Sequence, residues 1–155
     1  MKKILLQTAA FLLIGAFVIS SCKKEEEKTE DGVPEITNIE ALNHDTENDT
    51  VARGGTIGVN FDAKTKSSAK LDYYHLEIHD HPASGKVEDE YKIIDSTFKN
   101  QSTFKSLMNA HVHRHISVPD SANLGRYHVV IVVVDENGNS TDTEALETHI
   151  VVTEK

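Results

Sequence analysis

The sequence predicts an all-β fold, a single β-sandwich of about seven strands in residues 34–155. Apolar and polar residues alternate throughout this part of the chain, as they do in strands that turn one face to a core. No segment keeps a period of 3.6 residues over three helical turns. Turn-forming residues separate the alternating runs, and the hydrophobic content of 38% is enough for one core.

The individual strands are predicted from this alternation. In the third run Tyr74, Leu76 and Ile78 share one parity, and in the sixth Tyr127 begins another alternating series. Asn137-Gly138, between the last two runs, predicts a type I′ hairpin turn. Residues 96–107 are predicted to be an irregular connection. The predicted strands cover residues 35–42, 53–63, 71–79, 90–95, 109–118, 126–135 and 143–153.

Two segments resemble parts of immunoglobulin-like domains. Gly125-x-Tyr127 resembles the tyrosine-corner position at the start of strand F. The run 127–139, which ends Asp-Glu-Asn-Gly-Asn, resembles the F–G hairpin of bacterial immunoglobulin-like and fibronectin type III modules. The predicted fold class is therefore an immunoglobulin-like sandwich. Val130, Val132 and Val134 make the sixth strand apolar on both faces, which predicts a covered outer face or a contact surface for a partner.

The N-terminus has the pattern of a secretory signal peptide in residues 1–21. Lys2 and Lys3 precede an apolar run over 4–19, which is short for a membrane-spanning helix. Residues 19–22, Ile-Ser-Ser-Cys, resemble a bacterial lipobox. This resemblance implies that Cys22 becomes the lipidated first residue of the mature protein, whose acyl chains bind a membrane.

The segment 22–33 is predicted to be a charged linker after the lipidated cysteine. Its Lys-Lys-Glu-Glu-Glu run resembles the export signal of Bacteroidetes lipoproteins. That resemblance implies a lipid-anchored location at the outer membrane, exposed at the cell surface. The expected partners are the membrane itself and an outer-membrane receptor or other envelope protein.

Charge and cysteine content argue against nucleic-acid binding and against sites that need several cysteines. The formal net charge is −9, and no basic stretch exceeds two residues, so the chain is not predicted to bind nucleic acid. Cys22 is the single cysteine, which excludes an intrachain disulfide and a zinc site built from cysteines.

Histidine carries the main chemical signal, because seven of the nine histidines lie in three short stretches. On a strand, residues i and i+2 lie on one side about 6.6 Å apart, so two such imidazoles can share an ion, whereas i and i+4 are too far apart. His75 and His79 are therefore not expected to chelate together. The candidate metal ligands are His75, His79, His81, His111, His113, His115 and His128.

Strand parity and strand order predict where these side chains lie. The apolar residues of 71–81 and 110–118 are even-numbered, so the odd-numbered histidines should leave the core side. In an immunoglobulin-like order, the third and fifth predicted strands end where the sixth begins. We therefore expect one end of the sandwich to gather His79, His81, His113, His115 and His128, with His111 as a further candidate, although the third and sixth strands belong to one sheet and the fifth to the other.

Imidazole ligands with carboxylates nearby favour Zn²⁺, with Cu²⁺ or Ni²⁺ next. Ligating imidazole must be neutral, so binding should weaken below about pH 6.5. The neighbouring carboxylates are Glu77, Asp80, Glu88, Asp89 and Glu90.

Over residues 34–153 these features together resemble an uncharacterised, histidine-rich family of Bacteroidetes lipoproteins, a domain of unknown function. The features are the lipobox, His79-Asp80-His81, the 111–116 run His-Val-His-Arg-His-Ile, and Gly125-x-Tyr127-His128. The resemblance implies the fold and the location rather than an activity.

Two other functions remain open. His111-Val112-His113 resembles the copper strand of Cu/Zn superoxide dismutase, which would imply a metal-dependent redox enzyme. That family needs a disulfide that this chain cannot form, and no Gly-x-Ser-x-Gly nucleophile motif is present, so an enzyme is not predicted. The other function is a surface adhesion module that binds a partner protein or a glycan without metal.

Overall fold

The computed structural model describes residues 32–155, which form two β-sheets packed as a sandwich. This confirms the predicted fold class. The predicted signal peptide 1–21, Cys22 and all but the end of the linker 22–33 lie outside the described residues. The strands are β1 (Glu35–Asn43), β2 (Thr50–Ala52), β3 (Thr56–Lys64), β4 (Leu71–Asp80), β5 (Lys92–Phe98), β6 (Asn109–Ser117), β7 (Gly125–Asp135), β8 (Ser140–Asp142) and β9 (His149–Thr153). A short 3-10 helix, Val87–Asp89, lies between β4 and β5.

The smaller sheet has the order β1-β3-β6, and the larger sheet has the order β2-β9-β7-β4-β5 with β8 also paired to β7. All pairs are antiparallel except β2 with β9. This division of the strands between two sheets is that of an immunoglobulin-like sandwich. Within residues 32–155, no helix has the length and apolar character needed to cross a membrane.

Two strands begin later in the structure than the sequence predicts. The segment 53–63 contains a turn around Gly54, which has φ +77° and donates its N–H to the carbonyl of Val118. This turn lets β2 pair in the larger sheet while β3 pairs in the smaller one. The segment 143–153 begins with a connection that leaves the sheet before β9. Strand β5 also continues to Phe98, into the segment predicted to be irregular.

The predicted type I′ turn at Asn137-Gly138 is wrong, because only Gly138 has a positive φ, +79°. The N–H of Gly138 donates to the carbonyl of Asp135 over 3.0 Å, giving a three-residue hairpin loop with glycine in the left-handed position. The Asp135 carboxylate accepts the backbone N–H groups of Asn137 and Asn139 at 2.9 Å each. These side-chain bonds stabilise the alternative turn.

The core between the sheets follows the predicted parity. Leu76 and Ile78 of β4 are fully buried, whereas Glu77 lies on the outer face and stays partly exposed. Tyr74 joins the two sheets, since its ring lies 5.4 Å from Phe61 of β3 and 4.9 Å from Phe98 of β5 between centroids.

The outer face of β7 is largely covered by the chain itself. Val130 and Val134 are only 6% and 8% exposed, and Val132 is half-buried. Of the two explanations for the apolar outer face, the structure therefore favours coverage within the domain.

Tyr127 forms the predicted tyrosine corner. Its hydroxyl donates to the carbonyl of Asn123, four residues upstream, over 3.0 Å. Burial, followed by the nearby charge of Asp80, raises the pKa of this hydroxyl to about 12. The bond ties the start of β7 to the connection that precedes it.

Tyr127→Phe is expected to lower the free energy of unfolding by about 1 kcal/mol, because the Asn123 carbonyl loses its donor while the ring packing remains. Urea denaturation would measure the change. Tyr73→Phe is the control, since Tyr73 lies half-buried on the outer face of β4. A Tyr127→Phe effect no larger than the control would contradict this role.

Candidate metal centre

Three neighbouring strands of the larger sheet place histidines side by side on its outer face. His79 of β4 is the cross-strand partner of His128 in β7, and His128 is the partner of His149 in β9. Directly paired residues in antiparallel strands have side chains in contact range. His81 follows the end of β4 and adds a fourth ring. We call these four residues the histidine cluster.

The rings of the histidine cluster are close enough to share an ion. The ring centroids of His79 and His81 lie 5.3 Å apart, and the ring of His128 lies 5.5 and 5.7 Å from them. One nitrogen from each of these three residues lies within 4.8 Å of the others. The ring of His149 stacks on that of His128 at 5.0 Å and lies 6.4 Å from that of His81.

Two members of the cluster are buried although they point away from the core. His79 is 6% exposed and His128 is 5% exposed. The connection between β8 and β9 passes close to His128, whose Nε2 donates to the Leu146 carbonyl over 3.1 Å. This connection is the segment that the sequence analysis assigned to a continuous last strand.

The Nδ1 atom of His79 is buried and has no hydrogen-bond partner among the residues that the structure describes. It lies 3.1 Å from Oε1 of Glu77, but the geometry is not that of a hydrogen bond. Buried polar atoms in proteins are nearly always paired, and an unpaired one destabilises the fold by about 1–3 kcal/mol. A cation coordinated here would supply the missing partner, so the residues present fit a metal ion.

Carboxylates surround the histidine cluster. Glu77 and Glu90 form a second possible ligand group with His79, again within 4.8 Å. Glu144 approaches Nδ1 of His128 at 3.9 Å. Nζ of Lys92 lies 2.8 Å from Glu77, and the hydrogen bonds that it donates to the Glu77 and Asp95 carboxylates raise the pKa of this lysine. The negative charge of Glu77 is thus already balanced by Lys92, which leaves the imidazoles as the better ligands.

His149 was not among the predicted ligands. Its Nδ1 lies 2.7 Å from the Glu147 carbonyl and 2.8 Å from a guanidinium nitrogen of Arg126. Burial is the main cause that lowers the pKa of His149, and the Arg126 charge adds to it. The ring therefore favours the neutral form that binds metals. The sequence signal for His149 was its parity. It is odd-numbered, whereas the core residues Ile150 and Val152 of the same strand are even-numbered, so its side chain lies on the outer face.

The expected gathering of five histidines is not found. His113 and His115 project from the outer face of β6 in the smaller sheet, whereas the histidine cluster projects from the larger sheet. Strand order does place both groups at the same end of the sandwich. The outer faces point in opposite directions, however, and two packed sheets are themselves about 10 Å apart.

Two further predicted ligands lie apart from the cluster, each against its own carboxylate. Nε2 of His75 lies 3.2 Å from Asp95, and these two residues form a possible ligand group with Glu77. The carboxylates of Asp95 and Glu77 also bind Lys92. Nδ1 of His111 donates to Asp62 over 2.7 Å. Hydrogen bonds from Asn38 and from His111 lower the pKa of the Asp62 carboxyl. Cys22, the predicted lipidation site, lies outside the described residues.

Comparison with known families gives one assignment. The sequence matches the family described as "Domain of unknown function (DUF4625)" over residues 20–152. The chain belongs to this family. The family match extends from the N-terminal region through β9, so all four residues of the histidine cluster lie within the DUF4625 domain. No curated protein matches the sequence.

Among solved structures, the DUF4625 domain is similar to the sporulation control protein Spo0M of Bacillus subtilis, with 14% identity and a TM-score of 0.50. The match covers 82% of this chain and 51% of Spo0M. The Pseudomonas fluorescens alkylpurine DNA glycosylase AlkC, bound to DNA with an abasic site analogue, gives 16% identity and a TM-score of 0.45. That match covers 77% of this chain and 30% of AlkC. The likeness to Spo0M shows the fold alone.

Proposed function

We propose that this DUF4625 protein binds a divalent transition-metal ion, Zn²⁺ first and Cu²⁺ next, at the histidine cluster. His79, His81 and His128 are the three primary ligands. The observation that carries the proposal is the convergence of three imidazole nitrogens within 4.8 Å, two of them on buried side chains. The buried Nδ1 of His79 supports it, because that atom has no hydrogen-bond partner within residues 32–155.

Zinc chemistry suits this donor set. Zn²⁺ binds imidazole nitrogen at about 2.0–2.1 Å, which sets tetrahedral ligand nitrogens about 3.3 Å apart. The three side chains must therefore draw together when the ion binds. His79 and His128 sit on paired strands, and His81 lies just past the end of β4, where the chain leaves the sheet. His81 is thus the ligand best placed to move.

His149 is proposed as the fourth ligand. Its ring stacks on His128, and its neutral form is favoured. Four protein ligands make a closed site, whereas catalytic zinc sites keep an open position for water or substrate. The proposed function is therefore capture or retention of a metal ion rather than catalysis.

The proposed location is the outer membrane, with the sandwich held at the cell surface by lipid on Cys22. The lipobox-like run and the charged linker support this proposal. There the cluster would meet metal ions outside the cell, and an outer-membrane receptor or other envelope protein would be the partner that receives them.

Calorimetric titration with ZnCl₂ or CuSO₄ tests this function. We expect the full-length chain, purified in detergent without a histidine tag, to bind one ion at the cluster with sub-micromolar affinity at pH 7.5. At pH 5.5 the affinity should fall by about 100-fold or more, because protons compete with the metal ion for the imidazole nitrogens.

Absence of binding at both pH values, or equal affinity at both, would contradict the metal function. The protein would then be treated as a surface module that binds a partner protein or a glycan.

A further inference from the structure

A second group of histidines lies on the outer face of the smaller sheet, away from the histidine cluster. His113 and His115 occupy positions i and i+2 of β6, and both are exposed. His44 follows the end of β1, and its ring meets that of His115 edge-on at 4.2 Å between centroids. We call His44, His113 and His115 the outer histidine group. His44 was not among the predicted ligands.

Asn60 determines which nitrogen of His113 is free. Nδ1 of His113 is hydrogen-bonded to the side-chain oxygen of Asn60, and an amide oxygen only accepts. Nδ1 therefore carries the proton, and Nε2 of the neutral ring carries a lone pair. Histidines that bind metals typically donate the N–H of the other ring nitrogen to a fixed acceptor in this way.

The free nitrogen of His113 faces another imidazole nitrogen. Nε2 of His113 lies 2.7 Å from Nε2 of His115, with the ring centroids 4.6 Å apart. Two lone pairs at this distance repel, so a proton or a metal ion must lie between them. Tetrahedral coordination needs a separation of about 3.3 Å, which small side-chain rotations supply at an exposed site.

Carboxylates lie near the outer histidine group, because the surface concavity beside it is lined by Glu40 and Glu47 together with His44 and His113. A carboxylate or water can complete the coordination.

We propose that the outer histidine group is a second divalent transition-metal site, open to solvent, where the ion exchanges readily. Its first two ligands are His113 and His115, and His44, whose ring lies against that of His115, becomes the third ligand by rotation of its side chain. It is independent of the histidine cluster, because the two groups belong to outer faces of different sheets. The chain would thus present one enclosed site and one open site at the same end of the sandwich.

Binding stoichiometry separates the two sites. In calorimetry at pH 7.5 the full-length, untagged chain should bind two Zn²⁺ ions, the second about 10-fold or more weaker than the first. His113→Ala/His115→Ala should leave one ion, bound with the affinity of the first. His79→Ala/His128→Ala should leave only the weaker ion. His75→Ala is the matched control, since His75 belongs to neither group, and it should retain both ions.

His44→Ala provides an independent readout. It should weaken the second ion by about 10-fold and leave the first unchanged. Electron paramagnetic resonance of Cu²⁺ should show two nitrogen-ligated centres in the native chain and one after His113→Ala/His115→Ala. The second site is overturned if the native chain binds a single ion that His113→Ala/His115→Ala leaves intact. If only the histidine cluster failed to bind metal, the native chain would instead bind one weak ion, and His113→Ala/His115→Ala would abolish that binding.

Discussion

His79→Ala/His128→Ala is expected to weaken zinc binding at the histidine cluster by about 100-fold or more. These two residues are the buried ligands, and they lie opposite each other on paired strands. Their loss leaves His81 and His149 as the remaining members of the histidine cluster. Substitution of residues that only hydrogen-bond to a metal ligand already weakens metal binding by about 10–100-fold, so loss of two direct ligands should have a larger effect.

The measurement is competition with a zinc chelator of known affinity at pH 7.5. His79→Asn/His128→Asn is the second variant, because asparagine keeps much of the buried volume and a polar group. His111→Ala is the control, since His111 binds Asp62 on the other sheet. Folding of each variant would be confirmed by its urea transition. Native affinity in both double variants would rule out the histidine cluster as the metal centre.

Tyr74→Ala is expected to lower the free energy of unfolding by about 3–5 kcal/mol. Tyr74 is 1% exposed, and its ring contacts aromatic rings from both sheets and from the β5–β6 connection. Its hydroxyl accepts a hydrogen bond of 2.6 Å from Arg114. Burial raises the pKa of this hydroxyl, so it stays neutral at physiological pH. The substitution leaves a cavity and removes that acceptor.

Tyr74→Phe isolates the hydroxyl and should cost only about 1–2 kcal/mol, because Arg114 keeps its contacts with Phe98 and Gln101. Urea denaturation would measure both variants, and an unchanged m value would show that the unfolding transition is comparable. Tyr73→Ala is the neighbouring control on the outer face. Equal effects of Tyr73→Ala and Tyr74→Ala would show that Tyr74 does not connect the sheets as described.

The two groups of histidines illustrate where parity reasoning works and where it stops. Alternation in β4 and β6 correctly places His79 and His113 away from the core, because strand side chains alternate with a period of two residues. The predicted strand order already put the fifth predicted strand in a different sheet from the third and the sixth. The expectation that their histidines would still gather was wrong, because side chains on the outer faces of two packed sheets point in opposite directions.

His44 and His149 were missed for a related reason. Each contacts residues distant in sequence only through pairing between strands. His149 pairs with His128 because the chain leaves the sheet after β8 and returns at β9. His44 reaches His115 because β1 and β6 flank β3. No local pattern near either histidine specifies these neighbours.

The β-sandwich, the residues of each long strand that face the core and the tyrosine corner at Tyr127 could all be predicted from the amino-acid sequence. These features follow from alternation and short-range bonding within about ten residues. Where the strands begin and which imidazoles meet depends on contacts between residues far apart in the sequence. The turn at Gly54 is bonded to Val118, and His79 meets His128 across a strand pair. Such contacts depend on long-range pairing, which a local pattern permits but does not specify.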